Sequence, residues 1–185
     1  MKNKRAAVYC ASSRQVDEKY LSAAESTGRL LAKNNIDIIY GGGKIGLMGK
    51  VADGALSEGG TVIGILPHFM KDLELGHEGL TELRIVESMH QRQHMMAMES
   101  DYVITLPGGC GTLLETFEAI SWKKLGLIIS PIIIYNQEGY YDALVEMLKR
   151  AIDEKFMSDE HYAIWKVADT PEGIIDIINK SRIFV

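Results

Sequence analysis

The chain has 185 residues, 46% hydrophobic and 24% charged, with a formal net charge of -5. That is the make-up of one soluble globular domain large enough to bury its own core. An acidic balance argues against a general nucleic-acid binder, which carries a basic face, although local backbone dipoles can still hold a small anion. Cys10 and Cys110 are too few for a disulfide scaffold or a four-ligand zinc site. The basic start is followed by an apolar run from residue 6 to 11, too short for a signal-peptide core, and no run reaches membrane-spanning length. The expectation is a cytoplasmic protein with no membrane attachment.

Along the chain, short apolar β-rich runs alternate with segments of helical period. Residues 5–10 read as a strand and about 17–33 as a helix, with Tyr20, Ala24, Gly28 and Leu31 on one face and Glu18, Glu25, Arg29 and Lys33 on the other. A strand at 36–40 precedes a helix at 47–58, and a strand at 61–66 is ended by Pro67. Residues 68–81 show no clear period and read as a loop able to act as a mobile lid. A strand at about 82–86 leads to a helix at about 88–99. Strands at 101–106 and 131–135 are each followed by a helix, at about 112–125 and 140–155. A last helix spans 171–180, with Pro171 in its first turn. Apolar strands separated by helices imply an α/β fold, a Rossmann-like doubly wound parallel sheet with helices on both faces. No repeat or linker interrupts it, so residues 1–185 are expected to form a single nucleotide-binding domain. The helix at 112–125 carries Leu113, Leu114, Phe117, Ile120, Trp122 and Leu125. That surplus of apolar surface fits a homodimer interface or a central helix buried on two sides.

Ligands of such a fold bind beyond the carboxyl ends of the strands, so the strand-to-helix junctions carry the chemistry. Gly41-Gly42-Gly43-Lys44-Ile45-Gly46 lets the backbone approach a phosphate beside a helix amino terminus, though the same glycines can serve a tight turn alone. A dinucleotide site would also want an acidic residue about 20 residues on, closing the next strand. Here that strand ends Ile65-Leu66-Pro67-His68, and without Gly-Lys-Ser/Thr there is no P-loop. Pro107-Gly108-Gly109-Cys110-Gly111-Thr112 makes a second cradle, with Thr112 as N-cap and Glu115 in the first helical turn. Thr112 and Glu115 have the spacing of a capping box, yet a glutamate there also faces whatever the cradle holds. At Met89-His90-Gln91-Arg92 another helix begins, and its amino terminus should lie at the same sheet edge, so Arg92 and Glu115 can meet. Arg92 supplies a charged fork for phosphate or carboxylate, or is simply solvated. His90 and His94 stand four apart, but lack a third ligand and the Glu of His-Glu-x-x-His, so no metal site is expected. Cys110 sits where a helix terminus favours a thiolate, without an evident histidine partner.

Three segments together resemble the Lonely Guy (LOG) family of cytokinin riboside 5'-monophosphate phosphoribohydrolases, a family often labelled lysine decarboxylase. They are Tyr40-Gly-Gly-Gly-Lys-Ile-Gly-Leu-Met-Gly49, Met89-His-Gln-Arg92 and the PGGxGTxxE segment Pro107-Gly-Gly-Cys-Gly-Thr-Leu-Leu-Glu115. Tyr9-Cys10-Ala11-Ser12-Ser13, Ser121-Trp122 and Gly139-Tyr140-Tyr141 add to the likeness, which runs from residue 8 to about 155. The resemblance implies hydrolysis of the N-glycosidic bond of AMP or its N6-modified forms to free base and ribose 5-phosphate, without metal or organic cofactor. It implies Arg92 and Glu115 as the catalytic pair, residues 109–115 as nucleotide contacts, and Glu74 and Ser121 as further substrate contacts. Gly41, Gly42, Gly43 and Gly108 join them as candidate binding residues on the cradle argument above. Gln93 stands where the family usually has lysine, Cys110 where an aromatic is common, and Ser121 where threonine is usual. These departures bear on affinity and substrate preference. The implied partner is a nucleoside 5'-monophosphate, and the implied assembly a homodimer or higher homo-oligomer. Related folds with similar glycine loops include molybdenum-cofactor carriers, which makes a non-catalytic nucleotide or cofactor carrier the alternative. Lysine decarboxylation would call for a lysine-held electron-sink cofactor, and only Lys44 stands in either cradle.

Overall fold

The computed structural model describes residues 3–70 and 76–181. In chain order the elements are β1 (Lys4–Tyr9), α1 (Glu18–Lys33), β2 (Ile36–Tyr40), α2 (Gly46–Ser57), β3 (Val62–Pro67), β4 (Glu82–Val86), α3 (Met89–Met98), β5 (Tyr102–Thr105), α4 (Cys110–Lys124), β6 (Ile132–Tyr135), α5 (Asp142–Asp153), β7 (Trp165–Ala168) and α6 (Pro171–Ser181). The strands form one sheet in the order β4-β3-β2-β1-β5-β6-β7, and every pairing is parallel. From β1 the chain winds outward through β2 and β3 to β4, then returns to lay β5 against the other side of β1. The topological switch point therefore lies between β1 and β5, where a doubly wound sheet opens a crevice at its carboxyl edge.

Strand residues alternate between two apolar layers because successive side chains leave opposite faces of a sheet. Ala6, Val8, Ile38 and Ile104 pack with Ala24, Leu31, Val51 and Ile174, which places α1, α2 and α6 on one face. Ala7, Tyr9, Ile39, Val103 and Ile134 pack with Met96, Ala119, Ile120 and Ile152, which places α3, α4 and α5 on the other. Both faces are covered, and that is why the strands read as near-continuous apolar runs rather than alternating ones.

Three differences from the sequence expectation have local causes. β7 went unassigned because its four residues expose two polar-facing positions, Lys166 and Val167, between buried Trp165 and Ala168, too short a stretch to show a period. The fifth helix begins at Asp142, after a short turn in which Glu138 and Gly139 take positive φ. Residues 68–81 hold a single 3-10 turn at His68–Met70 and an isolated bridge between Gly43 and Gly76; residues 71–75, at the heart of the expected lid, lie outside the described residues.

α1 and α2 approach closely enough that a Cβ on Gly28 would stand 2.1 Å from the Val51 carbonyl oxygen. Gly28→Ala is expected to force these helices apart and to cost about 1–3 kcal/mol, the usual range for overpacking, read as a fall in the urea midpoint at unchanged m-value.

Candidate active site

The crevice at the switch point is formed by the loops that leave β1 and β5. They are stitched together where the Leu106 amide donates to the Tyr9 carbonyl (2.9 Å) and the Ala11 amide to the Pro107 carbonyl (3.2 Å). Between them opens a cavity of about 340 Å³, within the range typical of small-molecule sites. Its walls come from four places: the loop after β1 (Cys10 to Ser13), the first turn of α2 (Met48), the first turn of α3 with the end of the 68–70 turn (Met70, Met89, Arg92, Gln93), and the start of α4 (Gly109 to Thr112, Leu114, Glu115).

α4 begins two residues earlier than its sequence suggests. Gly109 is the N-cap, so Thr112 is the third helical residue and Glu115 lies a turn deeper. The capping-box reading of Thr112 and Glu115 is thereby overturned: the helix terminus has no side-chain cap at all. The leading amides of a helix have no intrahelical acceptor, and they carry the positive end of the dipole. Here they open onto the cavity, beside Gly109 and Gly111, where an added Cβ would meet nothing. α3 differs, because Ser88 caps it by accepting from the Gln91 amide (3.2 Å). Of these two neighbouring termini, the one at Gly109 leaves its amides without a side-chain cap, the feature an anion can use.

Several hydroxyl groups hold this first turn in place. Tyr140 and Tyr141 donate to the carbonyls of Gly108 and Leu106 (2.9 Å each), turning the carbonyl side of the loop away from the cavity. Burial pushes the Tyr141 hydroxyl well above its ordinary pKa, so it stays a donor. Thr116 donates to the Thr112 carbonyl (2.7 Å) and stands 2.9 Å from the Thr105 hydroxyl, tying α4 to the end of β5. A Cβ on Gly108 would collide with the Thr112 hydroxyl at 2.1 Å, so this glycine exists for close approach within the loop.

Arg92 and Glu115 meet across the cavity floor, with Nη2 and Oε1 3.7 Å apart and only 6% and 9% of the side chains exposed. At that separation the contact is an ion pair rather than a hydrogen bond. Arg92 also reaches two soft acceptors, the sulfurs of Met70 (3.6 Å) and Met89 (3.9 Å). Room for its guanidinium is left by Gly41, where a Cβ would stand 2.1 Å from Nη2. The surroundings are negative: burial chiefly, then Glu115 and Glu118, push the Tyr9 hydroxyl far up, against a smaller opposing pull from Arg92. Burial likewise raises the Glu118 carboxyl, while His90 and His94 pull it down.

Of the residues singled out in the sequence, Arg92, Gly109, Cys110, Gly111, Thr112 and Glu115 share the cavity. Gly41, Gly42 and Gly43 do not line it. Gly41 accommodates Arg92, Gly42 takes φ +81 against Leu66 and Leu83, and Gly43 bridges Gly76, so the first cradle serves the backbone and the arginine. Gly108 lies behind the loop, in a smaller hollow of about 170 Å³ with Tyr20 and Tyr140. Ser121 is exposed on α4, its hydroxyl donating to the Phe117 carbonyl, and is outside the cavity. Glu74 lies outside the described residues. Missed in the sequence were Met48, Met70, Met89 and Leu114, whose signal is only their place just after strand ends or in a first helical turn. Among the described residues no cluster of three metal-ligating side chains occurs, and no lysine lines the cavity.

Fold and site together define a doubly wound α/β protein with a crevice at its switch point that holds an uncapped helix start and a buried arginine–glutamate pair. Residues 48–178 match the family described as "Possible lysine decarboxylase". The chain is 41% identical over 174 residues to a cytokinin riboside 5'-monophosphate phosphoribohydrolase of Arabidopsis thaliana, covering 94% of this chain and 81% of that protein. It is 41% identical over 176 residues to the protein of the same name from Rhodococcoides fascians, covering 95% and 89%. The fold is also that of the molybdenum cofactor binding protein of Rippkaea orientalis, with a TM-score of 0.75 over 99% of both chains at 24% identity. The chain belongs to the Lonely Guy family of phosphoribohydrolase relatives, the one still described as a possible lysine decarboxylase.

Two glycine substitutions separate the roles within the loop. Gly108→Ala is expected to lose about 1–3 kcal/mol of stability by overpacking against Thr112. Gly111→Ala should fold normally and gain up to about 1 kcal/mol of helix propensity, while its methyl group enters the cavity. Thermal unfolding of the two variants side by side checks the contrast.

Proposed function

We propose that this chain hydrolyses the N-glycosidic bond of N6-modified adenosine 5'-monophosphates, AMP or both, releasing free base and ribose 5-phosphate. The observation that carries the reading is the buried Arg92–Glu115 pair, set one turn beyond an uncapped helix terminus in a 340 Å³ cavity. Five residues separate Cys110 from Glu115, about 7.5 Å along a helix axis. The names of the relatives point to the same substrate class.

In this mechanism the amides of Cys110, Gly111 and Thr112 receive the 5'-phosphate and so fix the sugar over Glu115. As the bond to the base stretches, positive charge builds on the ribose, and the Glu115 carboxylate stabilises it. The same carboxylate orients the attacking water and accepts its proton, while the base leaves with the bonding pair and takes a proton from solvent. Arg92 pairs with Glu115 and holds it in place. The walls of Met48, Met70, Met89 and Leu114 keep the reacting centre poor in water. Fold likeness to molybdenum-cofactor proteins is the support for the carrier alternative, and a carrier gives no reason to bury a charged pair beside its ligand.

The chain is further proposed to work as a homodimer or higher homo-oligomer. Leu114, Phe117, Ser121 and Leu125 recur at helical spacing on the exposed side of α4, with Leu114 at 58%, Phe117 at 41% and Leu125 at 69% exposure. Ile120 is buried and Leu113 and Trp122 pack against the core, so the helix has one buried face and one apolar outer face. A second copy on that face would sit beside the cavity mouth at Leu114, where Ser121 could meet substrate.

Chromatography of free base after incubation with AMP and with isopentenyladenosine monophosphate tests the activity. Wild type should release base, and Glu115→Gln should lower turnover by at least about 100-fold while changing nucleotide affinity less than tenfold. Unchanged turnover in the variant overturns the assignment of Glu115; retained binding with no release by wild type favours the carrier. Sedimentation velocity tests the assembly: the Phe117→Glu, Leu125→Glu double variant should run as a monomer where wild type runs as a dimer or larger.

A further inference from the structure

Away from the switch point, the starts of β6 and β7 and the ends of α4 and α6 enclose a groove of about 500 Å³, larger than the candidate active-site cavity. Among the described residues its apolar lining is Pro131, Ala163, Val167 and Ile177 over buried Ile132 and Ile164, and its charged groups are Lys123, Lys166 and Lys180, with no acidic side chain. Lys123 is half-buried and gives one N–H to the Ser130 carbonyl at 2.8 Å. Among the described residues no carboxylate pairs with any of the three lysines. Burial chiefly, and then the charge of Lys166, hold the Lys123 ammonium below its ordinary pKa, as expected of two like charges facing one half-dry space. Lys123 follows Ser121 by two residues, about 200° around the helix, so the groove lies on the side of α4 away from the exposed apolar strip.

The geometry points to a second binding site, one that takes a small amphipathic carboxylate with its head between Lys123 and Lys166 and its apolar body on Pro131, Ala163, Val167 and Ile177. The head answers the lysine pair with charge-assisted hydrogen bonds, and the body removes from water the apolar surface left by Pro131, Ala163, Val167 and Ile177. The volume lies within the range of sites that enclose small molecules. A neutral apolar molecule would leave the lysine charges without a counter-charge, and a compact anion such as phosphate would leave Ala163, Val167 and Ile177 wet. The site selects for both features in one ligand. It stands apart from the proposed reaction and does not rest on it.

Fluorescence titration of the whole chain with anilinonaphthalene sulfonate, itself an apolar body with an anionic head, tests the site, with decanoate, decanol and AMP as competitors. The dye should bind and brighten, decanoate should displace it, decanol should compete at least tenfold more weakly, and AMP should not compete. Lys123→Gln with Lys166→Gln should weaken dye and decanoate at least tenfold at an unchanged circular dichroism spectrum, whereas Lys123→Arg with Lys166→Arg should retain both. Binding that survives the glutamine pair, or that AMP displaces, overturns the proposal. So does binding abolished by the Phe117→Glu, Leu125→Glu variant, which would put the dye on the apolar strip. Binding seen only in a chain shortened to end at Ser181 also overturns it, because residues 182–185 would then be the natural occupant.

Discussion

A guanidinium and a carboxylate removed from water at one point compensate each other, and the carboxyl edge of this protein is organised around that pair. Breaking such a pair by deleting one member typically costs about 3–5 kcal/mol, because an uncompensated charge stays buried. Arg92 and Glu115 come from different helices, 23 residues apart in sequence (115 − 92), so they meet only if α3 and α4 both start at the same edge and at the right height. The parallel sheet supplies the edge. Gly41 supplies the space for the guanidinium, and the Thr105–Thr116 contact sets the height of α4 against β5.

The two helix starts at this edge are treated differently, and the difference defines the chemistry. Ser88 satisfies an amide of α3, so that terminus is closed and its arginine is what it contributes. Gly109 offers α4 no side chain, and the tyrosines behind the loop consume its carbonyls, so its amides remain for a ligand. A phosphate held there lies one helical turn from a carboxylate. That arrangement suits a bond cleaved through developing positive charge.

α4 is the element on which most of these demands converge. Its start faces the ligand, Glu115 faces Arg92, and Ala119 and Ile120 fill the core. Leu114, Phe117 and Leu125 form an outer strip, and Lys123 reaches the groove under β6 and β7. A helix with work on every side has little periodic amphipathicity left to display. That is why its apolar surplus was visible in the sequence while the division between core and outer face was not.

Much of the fold was legible because the strands are buried on both faces and the helices on one, which writes short apolar runs and a 3.6-residue period directly into the chain. Glycine clusters at strand ends marked the junctions, and the segments around Arg92 and Glu115 marked the family. What sequence alone determined was local: which residues are strands, which loops are glycine-rich, which charged side chains stand near helix starts. The strand order, and with it the switch point beside Cys10 to Ser13, came only from the tertiary structure. So did the placing of Gly41 under an arginine rather than a phosphate, the shift of the α4 cap to Gly109, and the exclusion of Ser121 from the cavity. Each of these depends on contacts between residues far apart in the chain. Local spacing carries no record of such contacts, because they arise only when separate elements pack and compete for the same volume.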